Sequence, residues 1–265
     1  RGVSVLGGVG ICPIETSESG SMDVADMLGE IKDDDPHYAV TKLLCLENTI
    51  SGKVQPQSHL EALANAAHKK NLKVHLDGAR LFNAHIYTGA SMESLTNCFD
   101  SVSICLSKGL GAPIGSLLVS DQVTIDKARR LRKMLGGGMR QVGVIASCGM
   151  YALKNNVKRL QKDHDNAKLL ADGLSSISEL SVDYANNQTN MVFVNCPKEH
   201  RESLEKFLLD REIMISNLDR GRLVCHLGIE EKDILFVIDS FKEYFKILFK
   251  YRSVKTRVET LPMKR

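Results

Sequence analysis

SICLSKGLGAPIGSLLVS (Ser103–Ser120) sets one lysine, Lys108, where an apolar run breaks into Gly109, Gly111, Pro113 and Gly115. Ile104-Cys105-Leu106 before it and Ser116–Val119 after it read as strands joined by a flexible turn. An isolated lysine in such a turn is ordinarily a solvated surface residue. The other reading, a functional amine at a strand end, depends on what the rest of the chain supplies.

Upstream, YAVTKLLCLE (Tyr38–Glu47) is a strand candidate, and LKVHL (Leu72–Leu76) is another that ends at Asp77. Between them SHLEALANAAHKKN (Ser58–Asn71) has apolar residues at helical spacing, with Ser58 and Glu61 placed as a capping box. Strands alternating with helices predict a mainly parallel sheet with helices on both faces. Ligands of such sheets bind beyond the carboxyl ends of the strands, where Asp77 and Lys108 both fall. Downstream, QVTIDKARRLRKML (Gln122–Leu135) predicts a helix stopped by three glycines, and Gln141–Ile177 predicts two helices or one kinked helix. From about Asn190 the pattern changes to NMVFVNC, a short helix near Glu199–Asp210, EIMIS, RLVCHLGI and an amphipathic helix from Glu230 to about Lys250. The expected fold class is α/β, a mainly parallel sheet domain followed by a smaller α+β C-terminal domain. The expected boundaries are 1–155, 156–252 and a polar, basic tail, 253–265, that frays.

Composition narrows the function. The 265 residues are 43% hydrophobic and 25% charged, with a net charge of +3, which is ordinary for a globular protein with a real core. That charge is too weak to imply nucleic acid, and no basic block carries interleaved aromatics. No apolar run reaches the roughly 18 residues that a membrane span needs. Seven scattered cysteines without a C-x-x-C pair read as reduced thiols of an intracellular protein. The opening RGVSVLGG has no initiator Met and no signal or transit layout, and reads as the interior of a fold, so a fragment is expected.

Asp77 in HLDGARLFNA precedes Gly78, Ala79 and Arg80, so a carboxylate and a guanidinium share one strand-exit turn. A local Asp–Arg pair, or Asp77 capping the next helix, explains this locally. His75 and Asp77 as metal ligands lack a third ligand at sensible spacing. Taken with SICLSKGLGAPIGS and the Gly-rich RKMLGGGMRQ, the set suits pyridoxal 5'-phosphate. A lysine forms the Schiff base, an acid meets the pyridinium nitrogen, and glycine turns let backbone approach the ring.

LGGVG, TKLLCLENT, GKV, HLDGARLFNA, CLSKGLGAPIGSLL, RKMLGGGMRQ, YALKNNVKRLQKDHDNA, TNMVFV and RLVCHL run through nearly the whole chain. In that order they resemble the low-specificity L-threonine aldolases, pyridoxal phosphate enzymes of the aspartate aminotransferase fold, most closely their animal branch. The resemblance implies that Lys108 is the Schiff-base lysine and Asp77 the pyridinium partner. It aligns Arg80 with an arginine near the ring hydroxyl and substrate carboxylate, and Arg222 with the main carboxylate-binding arginine. His37 matches a histidine near the substrate hydroxyl, and Lys133 and Arg140 match basic residues that reach toward the cofactor phosphate, in a neighbouring subunit where the two-fold interface allows. The implied reaction is retro-aldol cleavage of L-threonine or L-allo-threonine to glycine and acetaldehyde. The implied assembly is a homotetramer, a dimer of dimers, without nucleic acid or membrane, in the cytoplasm or, with the native start apparently absent, the mitochondrion. A β-eliminating lyase and a non-catalytic truncated copy remain alternatives.

Departures from the family pattern fall at Ile50-Ser51, where relatives often carry His-Asn, and at Cys225 and Gly228, where Thr and Asp are common. They bear on substrate preference. Members also carry roughly a quarter more chain before this start, including a phosphate-binding turn and a ring-stacking histidine, so weak cofactor binding, little aldolase activity and self-association are expected of this chain.

Overall fold

The computed structural model describes residues 2–186, 188–215 and 217–259. The chain divides into two compact units, Arg1–Leu160 and Gln161–Arg265.

The first unit opens with two short helices, α1 (Gly2–Gly7) and α2 (Val24–Gly29), and then alternates strand with helix. β1 (Leu43–Glu47), α3 (Gln57–Lys69), β2 (Lys73–Asp77), α4 (Leu81–Thr88), α5 (Met92–Thr96), β3 (Ser101–Cys105) and β4 (Ser116–Ser120) follow, closed by α6 (Gln122–Met134) and α7 (Gly143–Asn155). The sheet order is β1-β2-β3-β4, with β1, β2 and β3 parallel and β4 antiparallel to β3. The region 38–42 expected to open β1 lies outside the strand. The capping box expected at Ser58 is also absent. Pro56 caps α3 without a side-chain hydrogen bond, and Glu61 instead accepts from Gln57 at 3.3 Å. Pro56 presets the backbone entry to the helix, so Ser58 is drawn into the first turn.

Alternation along the strands decides which face carries the core. Leu44, Leu46, Val74, Leu76, Val102 and Ile104 are buried and pack with Leu60, Leu63, Ala64 and Ala67 of α3. The opposite face carries Cys45, Glu47, His75, Asp77, Ser101, Ser103 and Cys105, all exposed or half-buried. Helices on both faces were expected; among the described residues only one face of these strands has an apolar lining. The opposite face is mainly polar, and its apolar members Leu43 and Leu118 stand exposed.

At the amino ends of the strands, Asp100 ties the sheet together. Its carboxylate accepts from Lys73 Nζ at 2.7 Å and from the Val74 amide at 2.8 Å, and lies 2.8 Å from His68 Nε2. Its backbone carbonyl accepts from Ser120 Oγ at 2.7 Å, so α3, β2, β3 and β4 meet at one residue.

The second unit holds α8 (Leu160–Ser175), β5 (Ser181–Asp183), β6 (Met191–Asn195), α9 (Lys198–Leu209), β7 (Gly221–Val224) and α10 (Glu231–Glu259). Its three strands form an antiparallel β5-β6-β7 sheet. Val192 and Val194 bury against Leu174, Leu204, Leu208 and Phe241. EIMIS forms no strand in its described part: Glu212 takes a left-handed φ of 62°, which turns the backbone out of an extended path. Instead β5, unread in the sequence, completes the sheet. α10 continues past Lys250 to Glu259 because no glycine or proline interrupts it before Pro262. The frayed tail expected over 253–265 is therefore helical through Glu259, and 260–265 lies outside the described residues.

Candidate active site

Parallel pairing places the carboxyl ends of three strands side by side. Glu47 is the register partner of Asp77, and Asp77 that of Ser103. Beyond Asp77 the chain must leave the sheet at once, and Gly78 makes this possible. Its amide donates to Ser103 O at 2.8 Å, and a Cβ there would stand 2.9 Å from the same oxygen. Asp77 then accepts from the Ala79 amide through Oδ1 at 3.0 Å, closing a turn before α4. The cap residue of α4 is Arg80, so Asp77 is not the helix cap.

Lys108 sits three residues beyond β3 in a turn that is built rather than loose. Lys108 O accepts from the Gly111 amide at 2.8 Å, Leu106 O from Ala112 at 3.0 Å, and Gly115 O from Leu106 at 2.9 Å. Leu106, Leu110 and Ala112 are buried with Ala152 and Leu160, and Asn156 Nδ2 donates to Leu110 O at 2.8 Å. Gly111 adopts a left-handed φ of 75°, which a side chain would resist. Apolar anchors on either side thus leave Lys108 exposed at the strand ends, with its backbone fixed.

A crevice follows, lined by Ala79, Arg80, Phe82, Asn83, Cys105, Lys108, Gly109 and Leu110. Arg80 and Lys108 therefore both line it. Around it Glu47, Cys105 and His75 respond to burial and to the charges of Asp77, Lys108 and Arg80. Burial pushes the Glu47 carboxyl up, the Asp77 carboxylate adds to this, and Lys108 and Arg80 oppose it. For the Cys105 thiol, burial works upward, but hydrogen bonds with Ser107 and Ser116 and the nearby Lys108 charge hold it below its usual range. Burial lowers His75 and the Asp77 charge opposes this; its Nδ1 lies 2.8 Å from Ser101 Oγ.

The other anticipated residues stand elsewhere. His37 is 86% exposed, with Nδ1 2.7 Å from Asp35 Oδ1, and does not line the crevice. Lys133, in the last turn of α6, donates to Gly138 O at 3.4 Å, and Arg140 is exposed in the glycine-rich segment that follows. Neither lines the crevice. Arg222 lies in the second unit, on β7 opposite Phe193. Glu47 and Cys105 were not singled out from the sequence. Glu47's place at the end of a strand parallel to β2 was the available signal.

A fixed lysine, an acid and a guanidinium at the carboxyl ends of a mainly parallel sheet define an α/β enzyme with a lysine-centred site. Residues 1–197 match the family described as beta-eliminating lyase. The chain is 43% identical over 243 residues to a low-specificity L-threonine aldolase of Escherichia coli O157:H7, covering 92% of this chain and 72% of that protein. It is 39% identical over 252 residues to low-specificity L-threonine aldolase 1 of Arabidopsis thaliana, covering 91% and 70%. The solved threonine aldolase of Leishmania major shares the fold, with a TM-score of 0.69 at 19% identity over 87% of this chain and 69% of that one. The chain belongs to the beta-eliminating lyase family, among relatives named low-specificity L-threonine aldolases.

Proposed function

We propose that the chain catalyses the pyridoxal 5'-phosphate-dependent retro-aldol cleavage of L-threonine and L-allo-threonine to glycine and acetaldehyde. The observation that carries this is the 43% identity to a low-specificity L-threonine aldolase over 92% of the chain. The donor set at the strand ends fits the cofactor: an amine for its aldehyde, a carboxylate for its ring nitrogen and a guanidinium beside them. When bound, the cofactor supplies an electron sink for the pair released from the Cα–Cβ bond.

The residues divide the remaining work. Lys108 would hold the cofactor through Nζ, the one amine among the described residues that lines the crevice at the strand ends. Asp77 holds a proton on the ring nitrogen, because a carboxylate favours the charged form of its neighbour. Arg80 would grip the substrate carboxylate through paired N–H donors and so fix the angle of the bond to be broken, and Arg222 keeps the carboxylate-binding role that the family resemblance gives it. His37 takes the β-hydroxyl proton, and Asp35 beside it orients the ring. Lys133 and Arg140, which lie away from the crevice of their own chain, would serve the cofactor phosphate of a neighbouring subunit.

The assembly we propose is a homo-oligomer, a dimer of dimers. Apolar side chains exposed along α6, α7 and the segment between them, including Met134, Leu135, Met139, Val144 and Met150, support a shared face. The small-molecule partner is a β-hydroxy amino acid. Free cysteines support a cytoplasmic protein, and among the described residues no helix is long and apolar enough to cross a membrane.

The test is to incubate the chain with pyridoxal phosphate and threonine, assay glycine and acetaldehyde, and map the lysine tagged by borohydride. Both products and a tag on Lys108 are expected; a tag on another lysine ends the assignment. The family description favours β-elimination as a second reading. Pyruvate and ammonia from serine, without acetaldehyde from threonine, would decide for it.

A further inference from the structure

We propose that Glu47 is a positioning residue of this site, the carboxylate that draws the Lys108 and Arg80 side chains over the strand ends and leaves Asp77 for the ligand. The role rests on the pyridoxal phosphate reading above. Glu47 closes β1 as the register partner of Asp77 on β2. The exposed, buried alternation of β1 puts its side chain on the polar face with Asp77, not in the core with Leu44 and Leu46. The strand ends therefore offer two adjacent acids and, one turn beyond, two cations.

Two carboxylates at register positions do not serve equally. Asp77 is committed to the Ala79 amide through Oδ1, whereas Glu47 has one more methylene with which to reach outward. The groups facing Glu47 are Asp77 on β2, Arg80 beyond it and Lys108 beyond β3, with Cys45 two residues back on its own strand. Burial, then Asp77, pushes the Glu47 carboxyl up and both cations pull it down, so Glu47 stands within electrostatic reach of all three. A carboxylate here counters the repulsion between Lys108 and Arg80, which both line the crevice. Protonated, it loses that capacity.

The chain loaded with pyridoxal phosphate and the chain without it supply separate readouts. By absorbance titration at about pH 8, Glu47→Gln is expected to raise the cofactor Kd about fivefold, the effect of losing one partly screened ion-pair partner, with Glu47→Asp recovering part of the affinity. The ratio of the two Kd values is expected to fall toward one as pH drops and wild-type Glu47 takes up its own proton, which begins above the ordinary glutamate range. A purely structural role would leave the ratio independent of pH. In the cofactor-free chain with labelled glutamate, the Glu47 carboxyl titration should move up in Lys108→Met and down in Asp77→Asn. Absence of a lysine-bound absorbance band in the wild-type chain overturns the cofactor reading. A normal band with a pH-independent ratio, or a Glu47 titration indifferent to Lys108→Met, overturns the role of Glu47 alone.

Discussion

The amide of Gly78 donates to the carbonyl of Ser103 at 2.8 Å, and the same carbonyl occupies the space that a side chain at 78 would need. The Asp77 turn is thereby pressed against β3, the strand that leads to Lys108. Gly78→Ala would bring a Cβ to 2.9 Å from Ser103 O and 3.2 Å from Leu81 Cβ and Val102 Cγ1. A backbone oxygen in a sheet cannot step aside, so the variant should lose about 1–3 kcal/mol. Urea denaturation measures the loss, and cofactor affinity should fall with it as the acid and the lysine are pushed apart.

Asp77→Asn separates charge from architecture. The amide oxygen can still accept from Ala79, so the fold and its denaturation midpoint should hold. Without the negative charge the ring nitrogen loses its proton-holding partner, and turnover should drop about ten- to a hundredfold. The comparison is kcat/KM for threonine at saturating cofactor. An unchanged rate would reduce Asp77 to a turn-forming residue.

Asp100 predicts a pH dependence of stability. Burial by itself would raise its carboxyl, yet the Lys73 ammonium, His68 and the Val74 amide outweigh this and hold it down to about 2. A carboxyl depressed from 3.8 in the folded state stabilises fully above its unfolded value, and the contribution disappears as pH falls from about 4 through 2. Asp100→Asn should therefore cost about 2 kcal/mol near neutral pH and little at the acid end. Paired urea melts of the two proteins across that range give the answer; a constant difference would contradict it.

Arg222→Lys tests the carboxylate-binding role proposed for this residue of β7. An ammonium keeps the charge but lacks the planar two-donor fork, so the threonine KM should rise about tenfold while cofactor occupancy holds. Equal kinetics would make Arg222 a structural residue of β7.

Periodicity and glycine placement made Asp77 and Lys108 legible, because strand ends announce themselves locally. Residues whose roles depend on pairing between strands were less so. Glu47 and Asp100 gain their roles from register across β1, β2 and β3, a relationship between segments some 25 residues apart that no local pattern encodes. The capping box at Ser58 looked sound by spacing and lost to Pro56 two residues earlier. β5 escaped notice because three residues are too few to display an alternation. The open polar face of the first sheet was hidden for another reason: Cys45, His75 and Cys105 read equally well as core residues until their neighbours were in place.

The strands of the first unit are held at one end and used at the other. Lys73 begins β2 beside Asp100 and Asp77 ends it, four residues and about 13 Å away along an extended chain. Effects at sites so far apart combine almost independently. Exchanges around the strand-end rim can therefore alter the site without loosening the Asp100 anchor. Such a sheet is suited to diversification: descendants can acquire new selectivities at one rim while inheriting an unchanged assembly at the other.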